Sequence, residues 1–330
     1  MTNRRQFVTA LGGTAAIAAL HPFAALAQTV QQVVKIYYGF PAGSAGDSVA
    51  RRVAEKLGDT PFTKVNPVVE NKPGAGGRIA LDTLKSSVAD GSVLCLAQAS
   101  ALSIYPHIYT KLGYGMADFG PVLLRAGVAP ALTLGAPLAA SVKTLKDFVA
   151  WAKANPGQAS YGSPGAGSTP HFLGALLGLN SGADLRHVPY RGSLPAINDV
   201  VGGQIASSMT PAGDAIPFAK AGKLRVLAMS GSQRAAYLPD VPTFTEQGFP
   251  EIVADEWFGF FAPAKTPTAV ITAASTAIQT ALKDKSVADG LLSVGLLAHG
   301  SSPEDMRKSL QSEYERWGPL VKKIGFTAES

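Results

Sequence analysis

Residues 33–47 spell VVKIYYGFPAGSAGD, and this stretch decides the fold class. Val33–Tyr38 is a short run of β-branched and aromatic residues, which is typical of a buried strand. The glycine-rich loop that follows leads into a helix that we predict to begin at Asp47. One apolar face of this helix is formed by Val49, Ala50, Val53, Ala54 and Leu57. A strand, a loop and a helix in this order predict an α/β architecture.

The same alternation continues along the chain. Further strands are predicted at Val68–Glu70, Ser92–Leu96, Val122–Leu124, Ala131–Leu134, Arg186–Val188, Ile205–Met209, Val226–Met229 and Phe258–Phe261. This alternation predicts α/β lobes with mostly parallel sheets. About 300 residues also exceed the size at which a single core keeps growing, so we expect two lobes.

Four helix starts are predicted from their capping residues. Thr144 with Asp147 three positions later forms a capping-box pattern. Thr169-Pro170, Thr266-Pro267 and Ser302-Pro303 each combine a capping residue with a proline suited to the first helical position.

The first 27 residues have the composition of an export signal. Arg4-Arg5 precedes an apolar run from Val8 to Leu20, and Ala25-Leu26-Ala27 is a small-x-small cleavage site. The paired arginines resemble a twin-arginine signal, so we expect a periplasmic protein cleaved near Ala27/Gln28. A buried N-terminal helix is the alternative interpretation.

Charge and reactive residues exclude several function classes. The chain has 29 basic and 23 acidic residues without a basic block, so we expect no nucleic-acid partner. The single cysteine, Cys95, lies in an apolar run, and we predict a buried, inert thiol. The dispersed histidines and the lack of a Gly-x-Ser-x-Gly elbow predict no metal, no cofactor and no catalytic residue.

Two glycine-rich loops have the form of a ligand site. Residues 39–47 and 163–171 each precede a helix, whose unpaired N–H groups and dipole favour an anion. If one loop comes from each lobe, the pair would form the two walls of a cleft. Asp47 is interpreted as a helix cap that holds the first loop, with contact to a ligand amine as the alternative. His171 could contact a ligand or pack against the second loop.

A third glycine-rich stretch, residues 70–78, lacks the spacing of a P-loop or a dinucleotide fingerprint. We interpret it as a structural turn into a helix, although Arg78 beside it could touch a ligand.

Many short motifs resemble the Bug-type, or TctC-like, solute receptors of tripartite tricarboxylate transporters. They include Gly39–Gly43, Val69–Gly77, Ala152–Gly157, His187–Gly192 and Ala221–Ala228. The resemblance implies a type II periplasmic-binding-protein fold. Lobe 1 would hold residues 28–129 and 255–330, and lobe 2 residues 130–254.

The resemblance also implies a set of ligand-binding residues around the two loops. These are Phe40, Pro41, Gly43, Ser44, Ala45, Gly46 and Asp47, then Ala99, Ser100, Ser163, Gly165, Gly167, Ser168, Thr169, His171 and Tyr190. Two of them depart from the family pattern. Ser44 replaces a glycine and Gly46 replaces a hydroxyl residue, which alters the expected hydrogen bonding.

The function that the resemblance implies is capture of a small carboxylate by hinge closure and its presentation to a membrane permease, by a monomer without enzymatic activity. Dicarboxylates, tricarboxylates, aromatic acids and amino acids all remain open as ligands. The alternatives are a periplasmic enzyme acting on a small acid, with His171 or Asp47 as its base, and a sensor for a membrane signalling partner. The effector half of a transcription regulator shares the fold class, but the export signal argues against it.

Overall fold

A computed structural model describes residues 30–254 and 256–328. The predicted export signal lies outside the described residues. The strands are β1 Lys35–Tyr38, β2 Val68–Asn71, β3 Val93–Gln98, β4 Phe119–Val128, β5 Pro130–Gly135, β6 Ser160–Ser163, β7 Arg186–Pro189, β8 Ser207–Pro211, β9 Leu224–Met229, β10 Glu256–Pro263 and β11 Leu297–His299.

Helices connect most of these strands. They are α1 Ala45–Ala54, α2 Arg78–Lys85, α3 Ser100–Ser103, α4 Tyr105–Ile108, α5 Ala136–Ser141, α6 Leu145–Ala154, α7 Thr169–Ser181, α8 Ser193–Val201, α9 Ala212–Lys220, α10 Thr268–Lys283, α11 Lys285–Ser293 and α12 Pro303–Ile324. Short 3₁₀ turns occur at Ala75–Gly77 and Met116–Asp118.

The strands form two sheets, and each sheet with its helices is one lobe. Lobe 1 contains the six-stranded sheet β11-β4-β10-β3-β1-β2, and lobe 2 the five-stranded sheet β7-β6-β8-β5-β9. Two α/β lobes are therefore confirmed. The exact lobe boundaries that we gave remain a prediction.

The sheets are mixed, so the expectation of mostly parallel sheets is wrong. Strands β1, β2 and β3 pair in parallel, as do β6, β7 and β8. Strand β10 is antiparallel to β3 and β4, β11 to β4, and β5 to β8 and β9. Parallel neighbours need a crossover connection, usually through a helix. Strands β5 and β10 enter their sheets directly from the other lobe, so the path between lobes sets their direction.

Side-chain caps occur at four of the twelve α-helices in the described part of the chain, and two of the predicted caps need correction. Thr144 forms the predicted capping box with Asp147, and Ser302 is the predicted cap of α12, where Asp305 completes a capping box that was not predicted. Thr169 is not a cap: Ser168 has the extended backbone of the cap position, and its hydroxyl accepts from the His171 N–H at 3.4 Å. Thr266 is not a cap either, because α10 begins at Thr268 without a side-chain cap.

Helix α12 joins the cores of the two lobes. It packs against β4 and α3 of lobe 1 and also against α7 of lobe 2. Trp317 of α12 and Phe172 of α7 are both buried, with ring centroids 5.8 Å apart. Aromatic packing thus connects the lobes on the side of α12.

Candidate functional site

Three glycine-rich loops converge where the lobes meet. Loop 1 (residues 39–44) follows β1, loop 2 (residues 164–168) follows β6, and loop 3 (residues 72–77) follows β2. A Cβ atom on Gly39 would lie 2.5 Å from the Gly77 Cα, and one on Gly165 would lie 3.7 Å from the Gly76 Cα. Loop 3 therefore packs on loop 1 within lobe 1 and faces loop 2 of lobe 2. All three loops leave the carboxyl ends of their strands, where α/β sheets bind ligands.

Asp47 holds loop 1 in place from inside α1. It is the third residue of the helix rather than the cap; the helix begins at Ala45 after Ser44, so the predicted start at Asp47 is wrong by two residues. One carboxylate oxygen accepts from the Gly43 N–H at 2.9 Å and the Arg51 Nε at 3.0 Å. The other accepts from the Asn71 amide at 2.8 Å. All these partners belong to lobe 1, so the expected loop-holding role is confirmed.

Loop 2 is held by its own hydroxyl and imidazole groups. The Ser168 and Ser163 hydroxyls both donate to the Gly165 carbonyl, at 2.7 and 3.0 Å. His171 Nδ1 accepts from the Gly167 N–H at 3.1 Å. Of the two interpretations of His171, packing against the loop is therefore the one observed.

His171 also stacks on His187, with ring centroids 3.8 Å apart. Burial, and then the neighbouring His187, hold the pKa of His171 far below its ordinary value. Burial likewise lowers the pKa of His187 to about 4. Both imidazole rings are therefore neutral near pH 7, so they place no charge behind loop 2.

A cavity of about 220 Å³, which we call the interlobe cavity, lies between the three loops. Its lining is Gly39, Phe40, Gly74, Ala75, Gly76, Tyr109, Pro164, Gly165, Ala166, Pro189, Tyr190 and Arg191. Arg191 is the single charged residue in this lining. It is exposed at the rim, and no hydrogen bond or ion pair joins its guanidinium to another described residue. Larger cavities of about 470 and 530 Å³ are each lined by one lobe alone, whereas one of about 520 Å³ lies beside the β4–β5 connection and is lined by both lobes, for example by Leu297 and Tyr237.

A second, much smaller cavity of about 10 Å³, the inner cavity, lies deeper between the lobes. Its lining is Tyr38, Phe40, Ser44, Ala45, Gly46, Gln98, Pro164, Gly192, Ser193, Pro211, Asp214 and Phe258. Asp214 belongs to lobe 2, and its carboxylate accepts from the Ala45 N–H of lobe 1 at 2.9 Å. The first N–H of α1, which we expected to serve a ligand carboxylate, thus serves a carboxylate of the chain itself.

Burial raises the pKa of Asp214 to about 6. The Ser193 hydroxyl and the Ala45 N–H oppose this rise without cancelling it. A second buried carboxylate, Glu256, lies between Ser100 of lobe 1 and Thr169 of lobe 2. Burial, and then the nearby Glu313, raise its pKa to about 7.

The predicted site residues divide into three groups. Those that line a cavity are Phe40, Ser44, Ala45, Gly46, Gly165 and Tyr190. Pro41 contacts Gly192 across the lobes without lining either cavity. The remaining ones support the loops or the lobe contact from behind: Gly43, Asp47, Ala99, Ser100, Ser163, Gly167, Ser168, Thr169 and His171.

The Gly43 and Gly167 turns have different surroundings. A Cβ on Gly43 would meet nothing within 4 Å, whereas one on Gly167 would lie 2.1 Å from the Ile108 side chain of lobe 1. Both loops nevertheless line the interlobe cavity from opposite lobes, with Phe40 in loop 1 and Gly165 in loop 2, and their joint contact with a ligand stays a prediction. Loop 3 also faces loop 2, because β2 is parallel to β1 and ends at the same sheet edge.

Sequence reasoning missed loop 3, Arg191, Asp214 and Gln98 as parts of the cavities. Loop 3 had a usable signal, since a glycine-rich loop between a strand and a helix ends at the ligand edge of an α/β sheet. Its interpretation as a purely structural turn is incomplete. Arg78 stays outside the lining and stacks on the Tyr109 ring, with its Cζ 3.9 Å from the centroid.

Among the residues described, no three histidine, cysteine, aspartate or glutamate side chains form a group that could hold a metal ion. Within the same part of the chain, no helix is long and apolar enough to cross a membrane.

The family match and the similar proteins indicate the same family. Residues 48–326 match the family described as the tripartite tricarboxylate transporter family receptor, TctC. Protein BugT of Bordetella pertussis is 33% identical over 304 residues, which cover 91% of this chain and 90% of BugT.

Solved structures show the same fold. R. palustris Rpa4515 with adipate is 29% identical, with a TM-score of 0.85 over 92% of this chain and 99% of that one. MatC from Rhodopseudomonas palustris with bound malate is 26% identical, with a TM-score of 0.80 over 88% of this chain and 99% of MatC. The two lobes thus have the fold of periplasmic binding proteins. The chain belongs to the tripartite tricarboxylate transporter receptor family, TctC.

Proposed function

We propose that this protein is a periplasmic receptor that binds a small carboxylate-bearing solute in the interlobe cavity. The observation that carries this proposal is the lining of that cavity: backbone from three glycine-rich loops, three aromatic rings and a single charge, the Arg191 guanidinium. Glycine lets a ligand approach main-chain N–H groups closely. Guanidinium is well suited to carboxylate recognition. Adipate and malate in the two solved relatives support the same ligand class.

Binding without chemistry is the simplest use of this cavity. The two candidate bases are already engaged, Asp47 with Arg51 and Asn71, and His171 with the Gly167 N–H. Opening of the lobes would admit the solute, and closure would bury it. We propose that the closed form is then recognised by a permease of the tripartite type, as the family description suggests.

We also propose that residues 1–27 direct export by the twin-arginine route and are removed afterwards. The mature protein isolated from the periplasm is expected to begin near Gln28. Replacing Arg4 and Arg5 by lysine should stop its export.

A ligand screen tests the binding proposal. Thermal unfolding is followed with a panel of mono-, di- and tricarboxylates, aromatic acids and amino acids. A ligand present at about 100 times its Kd adds about 2.7 kcal/mol to the free energy of unfolding. Amines and neutral sugars of similar size serve as negative controls. If no carboxylate raises the unfolding temperature, the proposal is wrong.

The variant Arg191→Gln tests whether the carboxylate binds in the interlobe cavity. An exposed ion pair contributes up to about 1 kcal/mol, so the Kd of the best carboxylate should rise roughly fivefold. Arg307→Gln, on the exposed face of α12, is the matched control and should leave the Kd unchanged. If both variants bind the carboxylate with equal affinity, the ligand does not bind beside Arg191 in the interlobe cavity.

A further inference from the structure

The lining of the inner cavity accepts hydrogen bonds and carries negative charge. Asp214 is 7% exposed and fixed by the Ala45 N–H. Gln98 is 5% exposed, and its buried Oε1 has no hydrogen-bond partner among the described residues. No lysine, arginine or histidine lines this cavity. A buried acceptor without a partner costs free energy, so a donor that reaches it from a ligand is favoured.

Aromatic rings complete the surroundings of these acceptors. Tyr38, Phe40 and Phe258 all line the inner cavity. The Tyr38 ring centroid is 5.7 Å from that of Phe40 and 6.4 Å from that of Phe258. The faces of aromatic rings attract cations, and this attraction strengthens when the cation is desolvated. Carboxylate, amide oxygen and aromatic rings together are a set that suits a positive charge.

The two cavities are adjacent and have opposite character. Phe40 and Pro164 line both of them. The interlobe cavity presents Arg191 and three glycine-rich loops, whereas the inner cavity presents Asp214 and Gln98. A ligand that spans both would therefore place its negative end outward and its positive end inward.

We propose that the inner cavity is an ammonium subsite, and that the solute is a zwitterion whose amine contacts Asp214 and Gln98 while its carboxylate lies in the interlobe cavity. This inference rests on the proposed function and narrows its ligand class to amino acids and related amino carboxylates. The volume of about 10 Å³ is close to the space that one water needs, so it suits a primary ammonium and excludes a trimethylammonium.

Pairs of acids that differ only by an amine test the inference. The probes are L-glutamate and glutarate, 4-aminobutanoate and butanoate, and 6-aminohexanoate and hexanoate, measured by isothermal titration calorimetry at pH 8. In at least one pair the amino acid should bind about tenfold or more tightly than its partner, because a hydrogen bond to a charged group is gained in a buried place.

Asp214→Asn then assigns the effect to this subsite. The variant should lose about tenfold or more in affinity for the amino acid and change little for the plain acid. Asp184→Asn, at an exposed position of lobe 2, is the control. If Asp214→Asn does not fold, Gln98→Met removes the other acceptor and should weaken the amino acid selectively.

The outcomes separate the two proposals. Plain acids that bind as tightly as their amino partners would overturn the ammonium subsite and leave the carboxylate receptor intact. Equal losses for both members of a pair in Asp214→Asn would also overturn it. If no member of any pair binds, and the wider screen gives no carboxylate, both proposals fall.

Discussion

Two buried aspartates beside loop 1 have pKa values that are shifted in opposite directions. Burial raises the pKa of Asp47, but hydrogen bonds from Arg51, Gly43 and Asn71 outweigh burial and bring the pKa below its ordinary value. Asp214 has no cationic partner in the described part of the chain, so burial dominates and its pKa rises to about 6. The number and charge of the donors therefore decide the sign. The donors around Asp47 let its carboxylate hold loop 1, whereas no described cation neutralises the charge of Asp214.

Asp47→Ala should destabilise the protein. The substitution removes the acceptor of the Gly43 N–H, the Asn71 amide and the Arg51 guanidinium, so the free energy of unfolding should fall by about 2–3 kcal/mol. Urea unfolding at pH 7 measures this change. Asp184→Ala is the exposed control and should be nearly neutral. A loss below about 0.5 kcal/mol would show that loop 1 does not depend on Asp47.

Sequence reasoning identified Asp47 as the residue that holds loop 1 but missed the contact of Asp214 with α1, and the reason is physical. Asp47 and its Gly43 partner are four residues apart, so a local capping pattern reveals the contact. Asp214 and Ala45 are 169 residues apart and come from different lobes. Nothing in the local pattern around residue 214 indicates which helix end the carboxylate will meet.

At the scale of helices and strands, the features that depend on neighbouring residues could be predicted from the sequence. The capping boxes of α6 and α12 and the strand–loop–helix unit around loop 1 follow from neighbouring residues. Strand β6, with the sequence Ser-Tyr-Gly-Ser, was missed because small polar residues give no strand signal, although all four are buried. Strands β4, β5 and β10 were predicted, but their antiparallel pairing was not, because strand direction depends on how the chain passes between the lobes.

The first turn of α9 is the element contact that brings Asp214 to α1. A Cβ on Gly213 would lie 1.7 Å from the Val294 carbonyl oxygen of lobe 1, so only glycine allows this approach. Gly213→Ala should therefore disfavour the contact between the lobes by about 1–3 kcal/mol. We expect a larger radius of gyration in small-angle X-ray scattering and roughly tenfold weaker ligand binding.

Gly157→Ala is the control for this variant, because a Cβ there meets nothing within 4 Å. An unchanged radius of gyration together with unchanged affinity for Gly213→Ala would contradict this role of the glycine contact.

At the scale of the whole molecule, the lobes meet around buried carboxylates whose pKa values are raised by burial. The pKa of Glu256 is about 7 in the folded protein and about 4.3 when unfolded. Between these values the folded state binds the extra proton. The contribution of Glu256 to stability is therefore full below about pH 4 and is lost as the pH rises through about 7.

Glu256→Gln should remove this part of the pH dependence. The wild type should lose about 3 kcal/mol more than the variant between pH 4 and pH 8, and the variant should be the more stable protein at pH 8. Denaturant unfolding across this range measures both slopes. Glu55→Gln, at an exposed position, should retain the wild-type slope. Parallel curves for the wild type and Glu256→Gln would show that this carboxyl does not titrate as described.

The passage from β4 to β5 limits how the lobes can separate. Strand β4 ends at Val128 and β5 begins at Pro130, so a single residue, Ala129, connects the two sheets. One residue spans less than about 4 Å even when extended, so the sheets cannot slide apart at this point. A motion that admits a solute must therefore rotate the lobes about Ala129. Lengthening this connection by a few residues would also allow the lobes to move apart by translation, which the native connection prevents.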